Sequence, residues 1–232
     1  MTSSSLASAW GAPVFRGTIA PMGENKQASE NTGSDSGSDT GLDSGAETGP
    51  KSSDDSPSLA ALRRVVDELE IGAAGAGWDR PPALFALVPT GELLAAEGLP
   101  QDVAESLREN WDGDPKHLSA VAQETLPVDE LEELLAQIVW PSAVAGAALT
   151  VERIILPPEA DDEAPEDPEE AMVYAESHPA RTDIRVVVGV NREGDSWCEV
   201  RARTFDDRER VGQGEMLVPG LVDGLRLGLT DR

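Results

Sequence analysis

Apolar residues recur at a helical stride through Leu59, Leu62, Val65, Val66 and Leu69, which places them on one face and predicts a helix of about three turns. Pro57 and Ser58 suit its first turn, and Gly72, Gly75 and Gly77 are expected to end it. From Ala83 to Val88 every position is apolar, the pattern of a strand covered on both faces near the middle of a sheet, and Pro89 stops it. Helical patches follow at about 90–97 and 101–109, the second introduced by Pro100, and then a weaker strand signal at 118–124. Val128, Leu131, Leu134, Leu135 and Ile138 give the clearest helical repeat in the chain. Asp129, Glu130, Glu132 and Glu133 fill its first turn, where the helix dipole favours anions, and Trp140-Pro141 closes it.

Ala147 to Leu156, rich in Val, Ile and Leu, predicts a long strand ending at Pro157-Pro158, and the acidic stretch 159–167 predicts a loop. Asp167, Pro168, Glu169 and Glu170 read as the N-cap, N1 proline and first-turn carboxylates of a short helix to about Ser177. Ile184 to Val190 alternates, Asn191-Arg192-Glu193-Gly194 makes a turn, and Trp197 to Phe205 returns as the partner strand. On that return strand Cys198, Val200 and Ala202 are small and apolar and are expected to face inward. Trp197, Glu199, Arg201, Arg203 and Phe205 are expected to form a largely wet outer face. Leu217, Leu221, Leu225 and Leu229 repeat at i+4, with Pro219 near the start, and predict a C-terminal helix. A tight hairpin among strands that are otherwise separated by helices predicts the α+β class: a mixed, mostly antiparallel sheet with helices packed mainly on one face.

Composition sets the boundaries. The stretch 31–58 is almost without large apolar side chains, so it has nothing to bury against the entropy of ordering. Residues 1–57 therefore read as a disordered acidic Ser/Gly-rich tail, and 58–232 as a single α+β domain. Within the tail, Trp10, Val14, Phe15 and Ile19 form a small apolar island, read as part of the unstructured extension, with a short docking motif as the alternative. Met22 is an alternative start to Met1.

The tail carries a net charge of −5 out of −26, so most of the negative charge lies on the domain. Such a surface repels phosphate backbones and anionic headgroups, and neither nucleic acid nor membrane is expected as a partner. Cys198 is the only cysteine, which rules out an intramolecular disulfide and fits a reducing compartment. Leu6 to Val14 lacks a basic flank and is broken by Ser8, Gly11 and Pro13, so it does not read as a signal sequence. No uncharged apolar run approaches the roughly 20 residues of a membrane-spanning helix. A cytoplasmic location is expected.

Candidate chemistry is sparse. His117 is placed in a polar turn and His178 at a helix end before Pro179, and with one thiol they do not supply zinc-ligand spacing. Cys198 alternates with core residues and reads as an inert buried thiol. The acidic run 159–167 lacks the glycine and terminal glutamate of a calcium loop. Gly212-Gln213-Gly214 lacks the further glycine, lysine and hydroxyl of a phosphate cradle. No catalytic, cofactor-binding or metal-ligating residue is assigned, and no cofactor is expected. Trp78, Trp111 and Trp140 are expected to anchor element ends by packing. One cluster stands out: Trp197, Arg201, Arg203 and Phe205 join aromatic area to guanidinium groups, the residue types enriched at binding hot spots, and mark a candidate protein-interaction surface. The alternative is that acids such as Glu199 pair with them or that the C-terminal helix covers them.

The strings Leu84-Phe85-Ala86-Leu87-Val88-Pro89-Thr90, Leu131 to Pro141, and Leu217-Val218-Pro219-Gly220-Leu221 resemble a family of uncharacterised actinobacterial proteins over about residues 59–230. The resemblance implies a bacterial cytosolic protein, in keeping with 15 arginines against 3 lysines, and transfers no functional residue. The expected function is a non-enzymatic protein-interaction or regulatory module, with another protein as partner. The alternative is a small-ligand-binding protein or enzyme whose site is assembled only in three dimensions. Its mark would be an apolar pocket ringed by carboxylates and Arg185, Arg201 or Arg203.

Overall fold

The computed structural model describes residues 56–96, 98–123 and 131–230. The tail expected over 1–57, with its apolar island, lies outside them except for Ser56 and Pro57. These two residues open helix α1 (Pro57–Ala76): the Ser56 hydroxyl accepts from the Leu59 amide at 3.1 Å, and Pro57 takes the position whose amide would be unpaired in any case. The helix is longer than the glycines suggest. It runs 20 residues through Gly72 and Gly75 and stops only at Gly77, whose φ of 82° an L side chain would resist. Each internal glycine costs roughly 1 kcal/mol of helix propensity, and the docking of the helix on the sheet offsets it.

Strands β1 (Ala83–Pro89), β2 (Leu118–Ala122), β3 (Gly146–Ile155), β4 (Thr182–Asn191), β5 (Ser196–Ala202) and β6 (Gly212–Gly214) form one sheet in the order β2-β1-β3-β4-β5-β6. Every pairing is antiparallel. The β4–β5 hairpin closes at the expected turn, where Gly194 has a φ of 95°. Gly212-Gln213-Gly214 is the short edge strand beside β5. The return strand ends at Ala202, and Arg203–Phe205 turns instead as a single 3-10 turn.

Helices α2 (Thr90–Ala95) and α3 (Gln101–Asn110) lie between β1 and β2, and α4 (Leu131–Gln137) precedes β3. Val128, Asp129 and Glu130 fall outside the described residues. Part of the expected acidic loop forms one helical turn, α5 (Pro158–Asp162). The following helix α6 (Pro168–Ser177) starts as its sequence implies, the Asp167 carboxylate accepting from the Glu169 and Glu170 amides at 3.0 and 3.1 Å. Helix α7 (Pro219–Leu229) ends the fold.

Alternation along the strands divides the core in two. Leu149, Val151, Val186, Val188, Cys198 and Val200 meet Leu131 and Leu135 of α4 and Leu221, Val222 and Leu225 of α7 on one face. Leu87, Ala148 and Val187 meet Leu62, Val65 and Val66 of α1 on the other. The α+β class is as the pattern implies, but α1 covers the second face, so the central strands are buried on both sides. Gly189 permits that contact: a Cβ there would lie 2.6 Å from Val66 Cγ2. Cys198 is a fully buried core residue whose thiol is pushed up by burial.

Candidate functional site

Beneath the C-terminal half of α1 the second face changes character. Register places Glu152 opposite Arg185 and Arg185 opposite Arg201, while Glu199 pairs with Gln213, so charged side chains lie side by side on the face that α1 covers. Glu70 comes down from the helix to meet them. Arg201 grips it with two bonds, Nε to Oε1 at 2.5 Å and Nη2 to Oε2 at 3.0 Å, and its Nη1 donates to Asp206 at 3.1 Å. Arg201 is 5% exposed and Glu70 1%, so this is a buried pair held by α1 on one side and β5 on the other. Arg208 adds a bond to Glu70 Oε2 at 2.7 Å and pairs with Asp67. Burial alone would raise the Glu70 carboxyl, yet hydrogen bonds and charge from Arg201 and then Arg208 hold it below its usual range.

Glu199 has the opposite environment. It is 1% exposed, Oε1 accepts from Gln213 at 3.1 Å, and Oε2 has no hydrogen-bond partner among the described residues, with Arg208 Nη1 3.7 Å away. Burial, reinforced by the charges of Asp67 and Glu70, pushes its carboxyl up to about 7 against the pull of Arg208.

The outer face of the return strand is therefore not wet. Of the four candidate interaction residues, Arg201 is buried under α1, and Trp197 is half-buried with the Arg63 guanidinium 3.9 Å from its ring centre. Arg203 and Phe205 stay reachable in the turn after β5. Arg203 makes a bidentate pair with Asp79 at 2.7 and 2.8 Å, and Phe205 is 54% exposed with Arg210 4.8 Å from its ring. The alternation divides the faces correctly, but the covering element is α1 rather than the C-terminal helix, and the pairing acids are Glu70, Asp79 and Asp206 rather than Glu199. Sequence inspection passes over Glu70, although it continues the i+4 stride of the buried Leu62 and Val66 and could have been found by it.

Beside this layer lies a hollow of about 340 Å³ between α1, β1 and β3. Leu69, Ala73, Ala76, Pro81, Ala83 and Phe85 give it apolar walls, and Glu68, Arg80, Thr150, Glu152 and Arg185 add polar groups to its lining. Arg185 is 2% exposed. Its Nη2 donates to the Gly77 carbonyl and to Glu152 Oε1 at 3.1 Å, and its guanidinium lies 4.2 Å from the Trp78 ring centre. Its Nη1 is buried and has no hydrogen-bond partner among the described residues. Trp78 is fixed in turn by donating from Nε1 to Asp206 at 3.0 Å, so the indole anchors an element end as expected and also stacks on the arginine.

A second hollow of about 650 Å³ lies by the N-terminus of α1, lined by Ser58, Trp111, Lys116, Asn191, Arg192 and Glu193 among others. Its polar groups are largely occupied: Ser58 donates to Asp195 at 2.5 Å, Lys116 pairs with Glu193, and Arg192 Nε donates to the Val144 carbonyl at 2.8 Å. His117 is buried rather than set in a polar turn, its Nδ1 2.6 Å from Thr90 Oγ1, which in turn is 2.7 Å from Ser119 Oγ. His178 caps α6, its Nδ1 accepting from the Ala180 amide at 3.1 Å. Among the described residues no group of three His, Cys, Asp or Glu side chains is placed to hold a metal ion, and no helix is long and apolar enough to cross a membrane.

A family model described as PPA1309-like protein matches residues 62–230. The chain belongs to this family. The PPA1309-like span runs from the second turn of α1 to the end of α7, so Glu70, Arg185, Glu199, Arg201 and Arg208 all fall inside it. No curated protein and no solved structure matches the chain.

Proposed function

We propose that this PPA1309-like protein is a small-ligand-binding module whose site is the hollow beside Arg185. The observation that carries the proposal is a buried arginine, Arg185, 2% exposed, in the lining of a largely apolar cavity of about 340 Å³. The volume is at the small end of the range that ligand sites occupy.

Binding without turnover fits the neighbouring acids. Glu70, Asp79 and Asp206 are held below their ordinary range by arginine and tryptophan donors, which makes them poor proton carriers near neutrality. Glu199 has a suitable value but lines neither hollow. The protein-interaction reading keeps one supporting feature, the exposed Phe205 with Arg210 over its ring. A cytoplasmic location is supported by the single, buried Cys198, and an actinobacterial source by the preference for arginine over lysine.

A thermal-shift screen of the full chain against cellular metabolites tests the proposal. Ala73→Leu, which fills the hollow with a good helix former, is the control. The expected result is a compound that raises the Tm of the parent and leaves that of Ala73→Leu unchanged. A screen without such a compound, beside a stoichiometric protein partner captured by the parent and lost by Phe205→Ala, would overturn the proposal in favour of the interaction module.

A further inference from the structure

We infer that Glu199, Arg208 and Glu70 form a proton-operated latch: loss of the proton from Glu199 draws the Arg208 guanidinium off Glu70 onto Glu199 and tightens the segment 203–211 over the buried layer. The latch lies at the β5–β6 edge of the sheet and is independent of the hollow beside Arg185.

One cation serves two buried carboxylates. Arg208 Nη1 bonds Glu70 Oε2 at 2.7 Å and lies 3.7 Å from Glu199 Oε2, and both acids are 1% exposed. Their claims on it are unequal. Glu70 also accepts two bonds from Arg201, at 2.5 and 3.0 Å, so it stays paired when Arg208 leaves. Glu199 Oε2 has no hydrogen-bond partner among the described residues, and a movement of about 1 Å brings Arg208 within the length of a charge-assisted bond to it.

The groups around Glu199 make it the member that changes charge. Asp67 and Glu70 face it from α1, whose Arg63 is stacked on the Trp197 ring. Arg208 comes from the segment after β5, and Gln213 of β6 bonds Oε1. Across the sheet β4 presents Val187, while on β5 itself Arg201 is spent on Glu70 and Asp206. Burial and the charges of Asp67 and Glu70 outweigh Arg208 and Trp197 and lift the carboxyl to about 7. Ionisation therefore favours any arrangement that stabilises the anion better.

Two arrangements do so: a closer Arg208, or water admitted by lifting of the segment. The other fastenings of the segment favour the first. Arg203 holds Asp79 with two bonds, and Asp206 accepts from Trp78 and Arg201. Both acids lie below their ordinary range, Asp79 through Arg203 and Asp206 through Trp78, so these ties stay charged near neutrality. The part left to move is the exposed single turn Arg208–Arg210, whose Arg210 lies 4.8 Å from the ring of the exposed Phe205. One buried proton is thereby coupled to an aromatic side chain on the surface.

The test uses the full chain between pH 5 and pH 9, beside Glu199→Gln, which has no proton to release. Carboxyl carbon resonances follow Glu199 and Glu70, and amide exchange corrected for its intrinsic rate follows residues 207–213. The expected result is a Glu199 midpoint of about 7, with a Glu70 resonance that moves at the same midpoint while staying in the ionised range. Protection over 207–213 is expected to rise roughly tenfold from pH 6 to pH 8 in the parent, the effect of a hydrogen bond to a charged group, and to stay level in Glu199→Gln. Arg208→Gln is expected to raise the Glu199 midpoint and to abolish the change in protection. A fall in protection as Glu199 ionises would overturn the latch in favour of a segment that lifts to admit water. Equal changes in parent and Glu199→Gln, or a Glu199 carboxyl that does not titrate across the range, would overturn it as well.

Discussion

Replacing Glu199 with glutamine probes the charged layer under α1 at its most strained group. The side chain is 1% exposed and one of its oxygens has no hydrogen-bond partner among the described residues. Burial and the nearby charges of Asp67 and Glu70 lift its carboxyl from 4.5 to about 7. The folded value exceeds the unfolded one, so folding favours the protonated acid. The cost of holding the anion is absent below about pH 4.5, grows as pH rises between 4.5 and 7, and is complete above 7. At about 1.4 kcal/mol per pH unit, that cost is roughly 3 kcal/mol at most. Glutamine keeps the oxygen that accepts from Gln213 and carries no charge to desolvate. Glu199→Gln is therefore expected to be more stable than the parent by about 1–3 kcal/mol at pH 8 and by little or nothing at pH 5. Urea unfolding followed by far-UV circular dichroism at the two pH values measures this, and comparing variant with parent at each pH cancels the shared effect of a net charge of −26. A variant no more stable at pH 8, or one with the same gain at pH 5, would refute the reasoning.

Three further outcomes follow from the same geometry. Arg201→Met leaves the buried Glu70 with only Arg208, and a loss of about 3–5 kcal/mol in chemical denaturation is expected, much of it recovered in the double variant Glu70→Leu, Arg201→Met. Glu70, Asp79 and Asp206 titrate below their ordinary values when folded, so their contribution is in place above about pH 4.5 and disappears as pH falls through the folded values. Glu70→Gln should accordingly lose less stability between pH 6 and pH 3 than the parent, although it starts lower. Gly189→Ala drives a methyl group to 2.6 Å from Val66, and thermal unfolding should show about 1–3 kcal/mol of destabilisation from overpacking.

What a residue does through its near neighbours along the chain could be read from the sequence. The apolar stride of α1, the apolar run of β3, the alternation of β4 and β5, the turn at Gly194 and the Asp167 cap all depend on residues a few positions apart, and each is present, although β5 stops at Ala202. The Arg185 hollow was legible only as a condition, an apolar pocket ringed by arginine and carboxylate, because its lining comes from four separate elements, α1, β1, β3 and β4. The true end of α1 and the covering of β5 were not legible. A glycine in a helix is penalised locally, and whether packing outweighs that penalty is decided by the surface the helix meets. An arginine on a strand reads as wet until its partner is known, and the partner of Arg201 is Glu70, 131 residues earlier. Sequence by itself determined the apolar faces and the starts of the longer elements, but not the short helix α5 or the edge strand β6. Tertiary structure alone decided which charges leave water, because burial and pairing are properties of the assembled surfaces and not of either strand or helix apart.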